Sequence, residues 1–98
     1  MRLPERLRDP IRTALMDMFG DVPVYLFGSR ADDTKKGGDI DLAVATEMEK
    51  AEFRSKRIKF IAKMTRKNFE IQIDVVQLAD RTDPLLKNEI LSTGILLG

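Results

Sequence analysis

The chain has 98 residues, 43% of them hydrophobic and 34% charged, with 17 basic against 16 acidic side chains, which is the arithmetic of one small domain over 1–98. The absence of Cys and His excludes thiol and imidazole catalysis, disulfides and the usual zinc ligands, leaving carboxylates, hydroxyls, backbone amides and oxygen-loving cations for chemistry. A formal charge of +1 leaves bulk attraction to nucleic acid weak, so any polyanion must be recognised locally, and with neither a signal-peptide h-region nor a membrane-length apolar run the expected location is the cytoplasm.

In chain order, Leu7, Ile11, Ala14, Leu15, Met18 and Phe19 recur at helical spacing, predicting a first helix capped by Asp9, with Pro10 at its first position and Gly20 at its end. Val22 to Phe27 is rich in β-branched and aromatic residues and stops at Gly28, predicting a strand. The polar stretch SRADDTKKGG reads as a loop. Asp39 to Ala45 predicts a central strand, and Thr46 with Glu49 forms a capping box for a helix from about Glu47 to Lys67. Ala51, Ile58, Ile61, Ala62 and Met64 are that helix's expected core contacts. Phe69 to Leu78 alternates, with Phe69, Ile71, Ile73 and Val75 on one face and Glu70, Gln72 and Asp74 on the other, predicting a third strand. Asp83 and Pro84 open a last helix carrying Leu85, Leu86, Ile90 and Leu91, and the apolar tail after Gly94 reads as an edge strand, a packing segment or part of an interface. The pattern is α/β, a small mixed sheet with helices packed on it.

Asp39 and Asp41 stand two apart on one strand, so their carboxylates emerge on one face, roughly 6.5–7 Å apart along the chain. If the strand carrying Asp74 lies beside it, about 4.8 Å away, three carboxylates converge. Their mutual repulsion would raise their pKa values unless a cation sits among them, and oxygen-only ligation selects Mg²⁺, with Mn²⁺ as the alternative. Two such ions can activate a hydroxyl and stabilise a leaving pyrophosphate. Gly28 and Ser29 follow a strand, where a tight turn offers N–H groups and a hydroxyl to a phosphate chain. Taken singly, Asp-x-Asp and Gly-Ser are common in solvated loops and turns; together on successive strands they can hold a triphosphate and its metals.

The stretch LFGSRADDTKKGGDIDLAV, followed by Asp74 in FEIQIDVVQL, resembles the signature of the minimal nucleotidyltransferases of the DNA polymerase β superfamily: Gly-Ser, a loop, Asp-x-Asp and a third Asp. The resemblance runs from about Val22 to the end and includes the KNEILSTG segment. It implies Gly28 and Ser29 as the phosphate-binding pair, Asp39 and Asp41 as metal ligands, and Asp74 as the third carboxylate. The loop is about one residue shorter than the commonest form, and Gly38 stands where a Ser usually precedes the first Asp. The family's chemistry is transfer of a nucleoside monophosphate from a triphosphate, here ATP, to a hydroxyl. Members this short are commonly paired with a separately encoded helical HEPN-type protein, as antitoxin to an RNase toxin, and some adenylylate a Tyr of that partner. A chain of this size buries only about two-thirds of its unfolded surface, which also points to an acceptor held by another polypeptide.

Arg30 is the loop cation best suited to neutralise triphosphate charge, whereas Lys35 and Lys36 read as a solvated turn balanced by Asp32 and Asp33. Lys50, Arg54, Lys56, Arg57, Lys59, Lys63, Arg66 and Lys67 make the second helix basic but spread around it without interleaved aromatics, so a solvated face is expected rather than a nucleic-acid surface. Met16, Met18, Met48 and Met64 read as core fillers and Tyr25 as a packing residue. A homo-oligomer is left open. The rival reading, from a different class, is a module that binds nucleotide or covers a toxin without turnover.

Overall fold

A computed structural model of the chain describes residues 5–27, 39–66 and 72–97. Its elements run α1 (Glu5–Phe19), β1 (Val24–Phe27), β2 (Asp39–Ala45), α2 (Lys50–Arg66), β3 (Gln72–Leu78), α3 (Pro84–Thr93) and β4 (Ile95–Leu96). The four strands form one mixed sheet in the order β3-β2-β1-β4. β1 is antiparallel to both β2 and β4, and β2 is parallel to β3.

Strand alternation divides the core between the two faces. Val24 and Leu26, Ile40, Leu42 and Val44, and Ile73 and Val75 point to one side, against Ile11, Ala14, Leu15 and Phe19 of α1 and Phe53, Phe60 and Met64 of α2. Phe27, Ala43 and Leu78 point to the other side, against Ile90 of α3, with Tyr25, Ala45, Val76 and Leu86 around them. Tyr25 is thus a packing residue, as its place in the strand implies.

α1 begins before the expected cap, so Pro10 lies inside the helix and Asp9 does not cap it. Pro10 lacks the N–H that would have bonded the Arg6 carbonyl near the helix start. Gly20 closes α1 as expected: its φ of +83° is open to glycine without strain, and its N–H donates to the Met16 carbonyl at 2.9 Å.

β1 starts at Val24 rather than Val22. Pro23 has no N–H to give the ladder, although its carbonyl accepts from the Ala45 N–H at 2.9 Å.

α2 begins at Lys50 and Thr46 does not form the expected capping box. Gln77 on β3 reaches across and donates from Nε2 to the carbonyls of Thr46 at 2.9 Å and Met48 at 2.7 Å, and Arg81 donates to the Met48 carbonyl at 2.9 Å. These bonds take the Thr46 and Met48 carbonyls away from a helical ladder, and the first helical turn opens with Phe53 N–H donating to the Glu49 carbonyl. The buried face of α2 also differs from the expected one. Ala51, Ile58 and Ala62 face solvent and Ile61 is half-buried. The inward face is Phe53, Phe60 and Met64, with the Phe53 ring 5.2 Å from that of Phe19. Lys56 Nζ donating to the Met18 carbonyl and Lys63 paired with Asp17, both at 3.0 Å, fix the rotation of α2 against α1. Among the methionines, Met64 is buried and Met18 and Met48 pack against the core, but Met16 is exposed.

Phe69 to Ile71 lie outside the described residues; from Gln72 the third strand is as expected. Asp83 caps α3 by accepting from the Leu85 N–H at 3.1 Å, with Pro84 at the start. Only Ile90 of the expected apolar set is buried and Leu86 half-buried, whereas Leu85 and Leu91 are exposed. The apolar tail resolves into edge strand β4, after which Leu97 is buried and its N–H donates to the Val24 carbonyl at 2.8 Å.

The junction of α3 and β4 is tight at Gly94. A Cβ there would overlap the Ile90 carbonyl and stand 3.3 Å from the Tyr25 Cβ. Gly94→Ala is expected to lower stability by about 1–3 kcal/mol through this overpacking, read as a shift in the urea midpoint. An unchanged midpoint would show that the junction yields freely.

Candidate active site

The sheet topology makes one corner of the α3 side chemically distinct. Ile40, Leu42, Ile73 and Val75 are committed to the α1–α2 side, so the alternate positions Asp41 and Asp74 belong to the other side. In the parallel β2–β3 ladder Asp41 pairs in register with Asp74, and in the antiparallel β1–β2 ladder it pairs with Phe27. Adjacent strands lie about 4.8 Å apart, so two carboxylates stand side by side with a buried aromatic ring on the next strand. Asp41 is half-buried and Asp74 exposed.

α3 covers only part of this face. Its Ile90 and Leu86 cluster with Ala43, Ala45, Val76 and Leu78, towards the C-terminal ends of β2 and β3, and with Phe27 of β1; the opposite end of β2 and β3, where Asp41 is half-buried and Asp74 exposed, is the more open one. The carboxylates occupy that open end. The same face is therefore closed and apolar at one end, open and acidic at the other.

Asp39 opens β2 opposite Gln72, and only its backbone is described. Gly28, Ser29 and Arg30 follow directly on Phe27 and lie outside the described residues, as do Lys35 and Lys36. Of the expected residues, the structure therefore brings together Asp41 and Asp74. Among the described residues no group of three or more metal-ligating side chains gathers. Paired carboxylates in a chain without His or Cys form an all-oxygen donor set, which suits Mg²⁺ or Mn²⁺ rather than zinc. Sequence reasoning misses Phe27 as a residue of this corner; its signal is its place immediately before Gly28, and the register puts it beside Asp41. Among the described residues no helix is long and apolar enough to cross a membrane.

The family model "Polymerase beta, Nucleotidyltransferase" matches residues 19–98. No curated protein matches the sequence. Among solved structures, a chain of a toxin–antitoxin complex with AMP-PNP is 23% identical, with 93% of this chain and 72% of that one covered and a TM-score of 0.71. A chain from a complex of tri-AMPylated Shewanella oneidensis HEPN toxin with MNT antitoxin is 21% identical, with coverage of 97% and 72% and a TM-score of 0.68. A chain of the toxin–antitoxin complex MntA–HepT is 19% identical, with coverage of 97% and 72% and a TM-score of 0.67. At these identities the likeness is one of fold, while the family match spans most of the chain and includes both ladders that place the carboxylates. The chain belongs to the polymerase beta nucleotidyltransferase family.

Proposed function

We propose that this chain is a single minimal nucleotidyltransferase domain that moves AMP from ATP to a hydroxyl of a helical HEPN-type partner, acting in the cytoplasm as the antitoxin of a two-protein system. The observation that carries the reading is the in-register pairing of Asp41 with Asp74 at the open end of the α3 face, beside the strand that leads into Gly28 and Ser29. The structural neighbours described as toxin–antitoxin complexes, one with AMP-PNP and one with an AMPylated toxin, support the choice of nucleotide and partner.

Asp39, Asp41 and Asp74 would hold Mg²⁺, two ions in the full site, which supplies neutralisation of the triphosphate and polarisation of its α-phosphorus. Ser29 and the amides around Gly28 hold the β and γ phosphates, and Arg30 balances their charge. The partner's hydroxyl oxygen attacks the α-phosphorus in line. A new oxygen–phosphorus bond forms, the bond to the β-phosphate oxygen breaks, pyrophosphate leaves, and the hydroxyl proton passes to Asp74, which is exposed at the side from which an acceptor enters. Phe27, buried beside Asp41, keeps the inner wall of the corner apolar and strengthens the electrostatics there.

The test is incubation with α-labelled ATP and Mg²⁺, with and without the helical protein encoded beside this chain, following label into protein by mass. Label should appear on the partner and vanish with Asp39→Asn. Metal-dependent ATP binding and a stable complex without label would instead establish the non-catalytic binding module.

A further inference from the structure

α3 is apolar on two sides. Ile90 and Leu86 take its inward face, which by helical spacing leaves Leu85, Asn88, Leu91 and Ser92 on the outer ridge. Leu85 is 81% and Leu91 59% exposed. None of the four ridge residues is charged, in a chain that is 34% charged; Glu89 and Lys87 flank them one turn from Leu85 and Leu91 and cancel in charge, and Ser92 Oγ donates to Asn88 Oδ1 at 3.4 Å. Leu96 adds to the same side. It pairs with Tyr25, a residue of the α3 cluster, and is 56% exposed, whereas Ile95 packs on the opposite face. A helix apolar on both faces is normally covered on both.

We propose that the outer ridge of α3, with Leu96, is the surface on which the acceptor-bearing helical partner docks, through an apolar and uncharged helix face of its own. This rests on the reading given under Proposed function and adds where the partner sits.

Charge complementarity separates this surface from the exposed apolar residue of α2, Ile58. That residue lies among exposed Lys50, Arg54, Lys59 and Arg66 and would call for an acidic partner. The ridge of α3 has an uncharged centre bordered by Lys87 and Glu89, whose charges cancel, and matches the charge-depleted centre and polar rim typical of a protein interface. Position makes the same choice. α3 returns from the C-terminal end of β3 and hands the chain to β4, whose first residue, Ile95, pairs with Leu26, next to Phe27 and hence one step from the Asp41 register. A partner on α3 is on the carboxylate side of the sheet, so its hydroxyl can reach Asp74. A partner on α1 or α2 has the sheet between it and the carboxylates.

The experiment titrates wild type, Leu85→Glu/Leu91→Glu and Ile58→Glu with the helical protein encoded beside this chain by calorimetry, alongside thermal melts, Mg²⁺-dependent ATP binding and sedimentation. The double variant should bind the partner at least roughly 30-fold more weakly, the loss expected for hot-spot residues. Its melt and ATP binding should match wild type, and Ile58→Glu should bind the partner normally. Leu96→Lys provides an independent strand variant with the same expected loss, should the double variant melt early. Partner binding unchanged by both α3 and β4 variants, or lost in Ile58→Glu, would overturn the proposal. So would a wild-type dimer that the double variant dissociates while the partner still binds, because the ridge would then be occupied by a second copy. A wild type that forms no complex removes the partner reading and this surface with it. A complex that depends on Leu85 and Leu91 but carries no label supports the docking surface and sinks only the transferase.

Discussion

Asp41→Asn is expected to lower AMP transfer on the order of 10³-fold or more while leaving stability within about 1 kcal/mol of wild type. The two effects separate because of where Asp41 sits. It is on the open end of the α3 face, half-buried, at the register position of Asp74, and belongs to neither apolar cluster. Asn preserves its shape, so the ladder is kept. On the proposed reading, what is lost is one of the two negative charges that would hold the metal, and electrostatic stabilisation of a transferring phosphoryl group is worth several kcal/mol, each 1.36 kcal/mol being about tenfold in rate. Label transfer at the wild-type rate under matched Mg²⁺ would remove Asp41 from the machinery. A large drop in the urea midpoint would make it a structural residue instead.

Phe60→Ala should have the opposite profile, costing about 3–5 kcal/mol of folding stability. Phe60 is fully buried and is among the largest side chains of the core, and it packs in the cluster that joins α1, α2 and the sheet. A domain of this length has only about 5–15 kcal/mol in total, so the variant should be marginal at 25 °C or partly unfolded. Urea denaturation followed by circular dichroism measures it. A loss below about 1 kcal/mol would mean that α2 can rotate or close over the vacated space, which the Lys56 bond to Met18 and the Lys63–Asp17 pair are positioned to prevent. Bound ATP with Mg²⁺ should raise the midpoint of Phe60→Ala, since a ligand that prefers the native state stabilises it by mass action. The same ligand should do little for Asp41→Asn.

Local chemistry made much of the fold legible. β2 has the limits that its alternation implies, Asp83 and Pro84 open α3 as their capping chemistry requires, and Gly20 ends α1 with the positive φ that glycine tolerates. Asp-x-Asp on one strand and an isolated Asp on the polar positions of another are likewise visible from period two alone. These features depend on neighbours within a few residues, and that is the range over which sequence spacing determines conformation.

The inward face of α2 was legible only in part: Met64 is buried and Ile61 half-buried as expected, but Phe53 and Phe60 are buried where Ala51, Ile58 and Ala62 were expected. Ala51, Ile58 and Ala62 form a stripe as regular as Phe53, Phe60 and Met64, and the choice between them is made by the Phe19 ring, the Met18 carbonyl and Asp17, more than thirty residues away. The start of α2 was hidden for a similar reason, because Gln77 takes the carbonyls of Thr46 and Met48 from across the sheet. Leu85 and Leu91 read as core because apolar character at helical spacing does not reveal that a ten-residue helix covers only part of a sheet face.

What the sequence determined by itself, then, is the sheet face of Asp41 and Asp74, the order of the described helices and strands, and the caps that bound α3. That two of the carboxylates meet was decided only in three dimensions. β2 and β3 are parallel, joined through the length of α2 rather than by a hairpin turn that could set their register, so the pairing of Asp41 with Asp74 follows from how α2 packs against the sheet and α1.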